Sequence, residues 1–175
     1  MAPHRPRTRS SAPSVLLVDD DHDTLQLYSA FLRYSGLQVW TAPNTSVALV
    51  TARKHHPDIV VTDIGLPGAD GWSLCRQLRD SPGTRACGVI ALTGWVYDAE
   101  LSARAVEAGV DLVLTKPCLP DALLAQIAAL RRRGALLRVR GQDAIVRADI
   151  LRTRSTRLAD TSAALSKCAR HRRKR

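Results

Sequence analysis

The segment Val60-Val61-Thr62-Asp63-Ile64-Gly65-Leu66-Pro67-Gly68-Ala69-Asp70-Gly71 sets the reading of the whole chain. A β-branched run (Ile59, Val60, Val61) ends abruptly in a carboxylate. The residues after Asp63 are rich in glycine and proline, a composition that suits a loop rather than a helix or a strand. A strand that delivers an Asp to its C-terminal end and then turns puts that group where open parallel sheets bind ligands. An Asp there can also simply hold the next turn. Three other stretches point to the same place and favour a site.

The first is Val15-Leu16-Leu17-Val18-Asp19-Asp20-Asp21, four apolar residues running into three carboxylates. Adjacent negative charges repel. A divalent cation relieves that repulsion, and hard oxygen ligands favour Mg²⁺. Asp21 or Asp23 can serve as N-cap of a helix beginning near His22, leaving Asp19 and Asp20 for the site. The second stretch, Val89-Ile90-Ala91-Leu92-Thr93-Gly94, ends in a hydroxyl beside a residue with no side chain. The third, Leu112-Val113-Leu114-Thr115-Lys116-Pro117, ends in a cation and a proline. A carboxylate pair, a carboxylate, a hydroxyl and an ammonium, each closing its own strand-like run, make a site for a phosphoryl group and its metal.

In these residues the chain resembles the receiver domain of bacterial two-component response regulators, of the chemotaxis-regulator kind. That family carries an acidic pair after strand 1, a phosphoacceptor Asp after strand 3, Thr or Ser after strand 4 and Lys-Pro after strand 5. Asp19 and Asp20, Asp63, Thr93, and Lys116 with Pro117 match in order, at intervals of 43 (Asp20 to Asp63), 30 (Asp63 to Thr93) and 53 (Asp63 to Lys116) residues. The resemblance covers 14 to about 130 and is silent on the rest.

It implies that Asp63 is phosphorylated by a sensor histidine kinase or histidine phosphotransfer protein, in a phosphorelay that signals through a protein partner. Mg²⁺ would be held by Asp20, Asp63 and the carbonyl of Gly65, with Asp19 acting through water. Lys116 and Thr93 would contact phosphoryl oxygens, and Gly94 would leave room beside them. The only chemistry implied is self-catalysed phosphoryl acceptance and autodephosphorylation, in the cytoplasm. One position departs from the family: three residues before Lys116, where a Tyr or Phe usually swings inward on phosphorylation, stands Val113. Two residues after Thr93 stands Trp95, close to where a hydrolytic water must approach.

Alternating apolar runs and helical patterns give the architecture. Strands are expected at 15–18, 37–41, 58–62, 88–92 and 111–115, with helices at about 22–35, 44–54, 71–79, 98–108 and 121–133. Leu25, Tyr28, Phe31 and Leu32 line one helix face, and Gly36 is placed to end that helix. Five strands alternating with five helices argue for a doubly wound parallel sheet. The flavodoxin-like order 2-1-3-4-5 brings the ends of strands 1 and 3 together in one crevice.

The chain of 175 residues has room for one good core and an appendage. Its formal charge of +10 is unevenly spread. Residues 15–130 carry 8 Lys+Arg against 13 Asp+Glu, whereas 131–175 carry 15 against 3. The expected divisions are a disordered lead-in at 1–13, a receiver at 14–131 and a basic helical tail at 132–175. In the tail, Leu137, Ala144, Leu151, Leu158 and Leu165 recur every seven residues, but Gly141, Ala148, Ser155 and Ser162 make a poor second stripe for a coiled coil. A weakly amphipathic helix over 143–169 is compatible with self-pairing into a homodimer. With no helix-turn-helix pattern, sequence-specific DNA binding is not expected. Non-specific nucleic-acid contact by His171-Arg172-Arg173-Lys174-Arg175 remains open, and protein docking is preferred because no aromatic follows Tyr97 to stack on bases. No apolar run approaches membrane-spanning length. Cys75, Cys87, Cys118 and Cys168 show no metal spacing and read as reduced thiols.

Two other classes fit parts of the pattern. A haloacid-dehalogenase-like phosphatase also has its nucleophilic Asp after strand 1, which Asp19-Asp20-Asp21 matches superficially; its later acidic ligands are replaced here by Lys116-Pro117. A pseudo-receiver that binds without accepting phosphate is the other, and the complete acidic set argues against it.

Overall fold

A computed structural model of the chain describes residues 12–67, 71–95 and 98–134. The expected lead-in, apart from residues 12 and 13, and the tail beyond 134 lie outside the described residues. Five strands are described: β1 (Ser14–Val18), β2 (Gln38–Ala42), β3 (Ile59–Asp63), β4 (Gly88–Thr93) and β5 (Leu112–Thr115). Between them lie α1 (His22–Tyr34), α2 (Thr45–His55), α3 (Gly71–Asp80) and α4 (Ala99–Glu107), with α5 over 120–134. All neighbouring strands pair in parallel, in the order β2-β1-β3-β4-β5. The order reverses at β1, which pairs with both β2 and β3, so a crevice opens where those two strands end.

Strand alternation assigns the two faces. Leu16, Val18, Val60, Val89 and Ala91 pack with Ala48 and Ala52 of α2, Trp72, Leu74 and Leu78 of α3, and Leu101 and Ala105 of α4. Val15, Leu17, Val61, Ile90 and Leu92 pack with Leu25, Tyr28 and Leu32 of α1 and Leu123 and Ile127 of α5. Both sheet faces are covered, which is why the strands read as continuous apolar runs. Each fully buried Leu contributes about 1.5–3 kcal/mol by leaving water.

Caps set the helix starts. Asp21 caps α1, Asn44 caps α2 through the Val47 N–H, and Asp98 caps α4 through the Leu101 N–H. Gly36 (φ +85°) and Gly109 (φ +71°) take the left-handed backbone that ends α1 and α4. The five strands and five helices expected for 14–131 are present, with ends displaced by a residue or so; β2, for example, starts at Gln38 rather than Leu37, while the helix expected over 143–169 lies outside the described residues. Arg79 ties the far side together. Its guanidinium donates to the carbonyls of Gly109 (2.8 Å), Arg85 (2.9 Å) and Cys87 (2.6 Å) and to Asp111 Oδ2 (2.8 Å). No helix among the described residues is long and apolar enough to cross a membrane. The chain divides into two units, Met1–Arg131 and Arg132–Arg175.

Candidate functional site

Each side chain in the crevice is placed by the end of a strand. Asp19 follows β1 and is 4 % exposed; its Oδ1 accepts the Asp21 N–H (3.0 Å). Asp63 is the last residue of β3, and its Oδ1 accepts the Gly65 N–H (2.9 Å). Lys116 follows β5, and its Nζ donates to Asp19 Oδ2 (2.8 Å) and Asp63 Oδ2 (2.9 Å). The Lys116 N–H donates to the carbonyl of Thr93 (2.7 Å), fixing the ends of β4 and β5 side by side. The peptide bond from Lys116 to Pro117 is cis. Below it, the Tyr28 hydroxyl of α1 donates to the Cys118 carbonyl (2.6 Å).

Asp20 is exposed, and one carboxylate oxygen from each of Asp19, Asp20 and Asp63 lies within 4.8 Å of the others. At that spacing a like-charge pair repels by roughly 3–4 kcal/mol at an effective dielectric near 20, less where water reaches Asp20. Lys116 offsets one charge of three. The balance, about two negative charges on hard oxygen donors, suits a divalent cation. Asp21 does a different job: the Thr24 hydroxyl (2.6 Å) and the Asp23 N–H (3.2 Å) hold its pKa below the ordinary carboxylate value. Burial disfavours the Lys116 ammonium, but the hydrogen bonds and charges of Asp19 and Asp63 outweigh it, and its pKa is raised.

Two glycines shape the surroundings. A Cβ on Gly71 would sit 2.7 Å from both the Asp63 carbonyl oxygen and Ile64 Cα, so α3 can approach β3 this closely only with a glycine there. A Cβ on Gly94 would meet nothing within 4 Å, which agrees with the room expected beside Thr93.

Residues 15–128 match the response regulator receiver domain family. The chain belongs to that family. Among curated relatives, the transcriptional regulatory protein PrrA of Mycobacterium leprae is 40 % identical over 129 residues, covering 73 % of this chain and 54 % of PrrA. The transcriptional regulatory protein GltR of Pseudomonas aeruginosa is 34 % identical over 132 residues, covering 75 % and 54 %. The chain thus spans about half the length of these relatives. Among solved structures, a CheY-like receiver from Methanospirillum hungatei matches with TM-score 0.66 and 26 % identity, over 71 % of this chain and 98 % of that one. The chemotaxis response regulator CheY4 of Vibrio cholerae matches with TM-score 0.65 and 26 % identity, over 69 % and 99 %.

All the receiver residues singled out from sequence meet at one end of the sheet. Thr93 is 1 % exposed and does not cap α4, a role that falls to Asp98; its Oγ1 instead accepts the Trp95 N–H (3.0 Å). The Trp95 side chain is 53 % exposed. Val113 is half-buried against the cluster that holds Ala91 and Leu101. The direct pairing of Lys116 with Asp19 and Asp63 was not foreseen from sequence, which assigned Lys116 only to a phosphoryl oxygen. The need for Gly71 was missed as well, because a close backbone approach carries no spacing signal in the sequence.

Proposed function

We propose that the receiver takes a phosphoryl group onto Asp63 from a phosphohistidine on a sensor histidine kinase or histidine phosphotransfer protein, in the cytoplasm, and relays its state to a protein partner. The observation that carries this is Lys116 bridging Asp19 and Asp63, with Asp20 beside them. In transfer, a carboxylate oxygen of Asp63 attacks phosphorus, the phosphorus–nitrogen bond breaks, and the imidazole leaves with a proton. The Gly65 N–H and Lys116 fix the orientation of the Asp63 carboxylate before attack. Lys116 then has a phosphoryl oxygen as its second partner, and the Thr93 hydroxyl donates to another.

Asp20, Asp63 and the Gly65 carbonyl, with Asp19 behind them, are the groups that would hold Mg²⁺. Bound there, Mg²⁺ supplies charge neutralisation for the phosphoryl oxygens. No catalysis beyond phosphoryl acceptance and its reversal by water is assigned. The receiver is taken to end at 131, with the basic segment 132–175 as a separate interaction element.

Incubation of the full chain with radiolabelled acetyl phosphate and Mg²⁺ tests the assignment. A label that survives in Asp19→Asn and disappears in Asp63→Asn supports it. Loss only in Asp19→Asn would favour the dehalogenase-like phosphatase, and no label in the unaltered chain would favour the pseudo-receiver.

A further inference from the structure

The two ends of the sheet differ in charge. Asp19, Asp20 and Asp63 lie where strands finish, and Asp98 begins α4 at the same end. Helices return the chain to where strands begin, and there α2 closes with Arg53, Lys54, His55 and His56. The loop that leads into β4 adds Arg85. The end of α2 and this loop are in contact. His56 Nδ1 lies 3.0 Å from the Gly83 carbonyl oxygen, joining the end of α2 to the loop. Arg79 holds the same loop through the Arg85 and Cys87 carbonyls. The His55 ring stacks on Trp40 of β2, with centroids 4.6 Å apart. α5 arrives here too, because a Cβ on Gly88 would lie 2.9 Å from Leu130 Cδ2, and Arg131 is the next residue.

Arg53, Lys54 and Arg85 are exposed and have no carboxylate partner among the described residues. The nearby acids are largely engaged: Asp58 accepts the Ser14 N–H and hydroxyl, and Asp111 pairs with Arg79. Asp80, exposed at the end of α3, and Glu107, exposed at the end of α4, are opposing charges at this end. A cation in a last helical turn also stabilises its own helix. That effect accounts for Arg53 and Lys54 but not for Arg85, which is in no helix. β3 puts about 13 Å of strand between this surface and Asp63. The Debye length is about 8 Å at physiological salt, so the crevice's negative charge is largely screened here.

We propose that this end of the receiver, through Arg53, Lys54 and Arg85, docks the phosphate backbone of nucleic acid without reading its sequence. Guanidinium groups present paired donors that match phosphate oxygens. The chain beyond has the same sign: thirteen of its fifteen cations over 131–175 are arginine. Covalent linkage raises the local concentration of either element once the other is bound. An anionic membrane fits less well, since the exposed apolar residues of α2 are two valines, Val47 and Val50, rather than a Trp- or Leu-bearing face.

The test is fluorescence anisotropy of a labelled 20-base-pair duplex titrated with the full chain from 50 to 200 mM salt. Arg53→Gln with Lys54→Gln should flatten the slope of log affinity against log salt by about 1.8, and Arg85→Gln alone by about 0.9. The reductions should be equal for unrelated duplex sequences. Melting curves confirm folding, and if the double variant is unfolded, Arg85→Gln decides alone. Unchanged slopes would overturn the proposal by leaving binding to the tail. Binding to phosphatidylserine vesicles but not to duplex would overturn it in favour of a membrane.

Discussion

Because Lys116 donates to Asp19 and Asp63 at once, the crevice is cross-linked by charge before any phosphoryl group arrives. That cross-link has a pH dependence of definite sign. With a folded pKa above the ordinary lysine value, the ammonium's contribution is complete below that value and is lost as pH rises through the raised one. The stability difference between the unaltered chain and Lys116→Met should therefore be constant near pH 8 and shrink above about pH 10.5 in urea titrations. Making the comparison in Tyr28→Phe chains removes Tyr28, whose pKa burial raises and the Lys116 charge lowers. A difference that persisted undiminished at pH 11 would mean that Lys116 acts through packing alone. Asp20 allows a complementary test, since it is exposed and makes no hydrogen bond to Lys116. Mg²⁺ should raise the melting temperature of the unaltered chain, and Asp20→Ala should remove that response. An equal Mg²⁺ response in the variant would take Asp20 out of the ligand set.

At the scale of elements, α3 shows how closely the site depends on a neighbour. Gly71 lets the helix start against the backbone of Asp63 and Ile64. Gly71→Ala should cost about 1–3 kcal/mol by overpacking. It should also slow acetyl-phosphate labelling in protein that is still folded, because relief of the clash displaces Asp63. Normal labelling kinetics with lowered stability would show that the strain is absorbed by α3. This contact was not legible in the sequence, whereas most of the site was. Asp63, Lys116 and Thr93 each end an apolar run, and in a parallel sheet run ends become neighbours without further information. Helix starts were legible for a similar reason, since Asp21, Asn44 and Asp98 cap through bonds to residues two or three positions away. Arg79 was opaque because three of its four acceptors are backbone carbonyls, which any residue type supplies. The Trp40–His55 stack was opaque because aromatic contact carries no spacing signature.

For the whole molecule, under the proposed function, phosphorylation at one end of the sheet must reach the surface that a partner reads. Receivers with a Tyr or Phe three residues before the lysine fill the space behind the moving hydroxyl with that ring. Val113 is too short for this, and its β-branched side chain is restricted at χ1. A connection among the described residues runs through the loop after β4, where the Trp95 N–H donates to Thr93 Oγ1. If Thr93 turns to donate its proton to a phosphoryl oxygen, that acceptor shifts and Trp95 moves with it. The indole lies beside a depression lined by Asp98, Glu100, Leu101 and Arg104 at the start of α4, so its displacement changes a surface available to a partner. Beryllofluoride with Mg²⁺ should therefore change Trp95 fluorescence. A Trp95→Phe variant separates that signal from Trp40 and Trp72, the latter fully buried. Val113→Ala should cost about 0.5–2 kcal/mol and leave the fluorescence response intact. If Trp95 stayed silent on phosphorylation while Val113→Ala abolished partner binding by a folded, labelled chain, the route would run through β5 and not through the loop after β4.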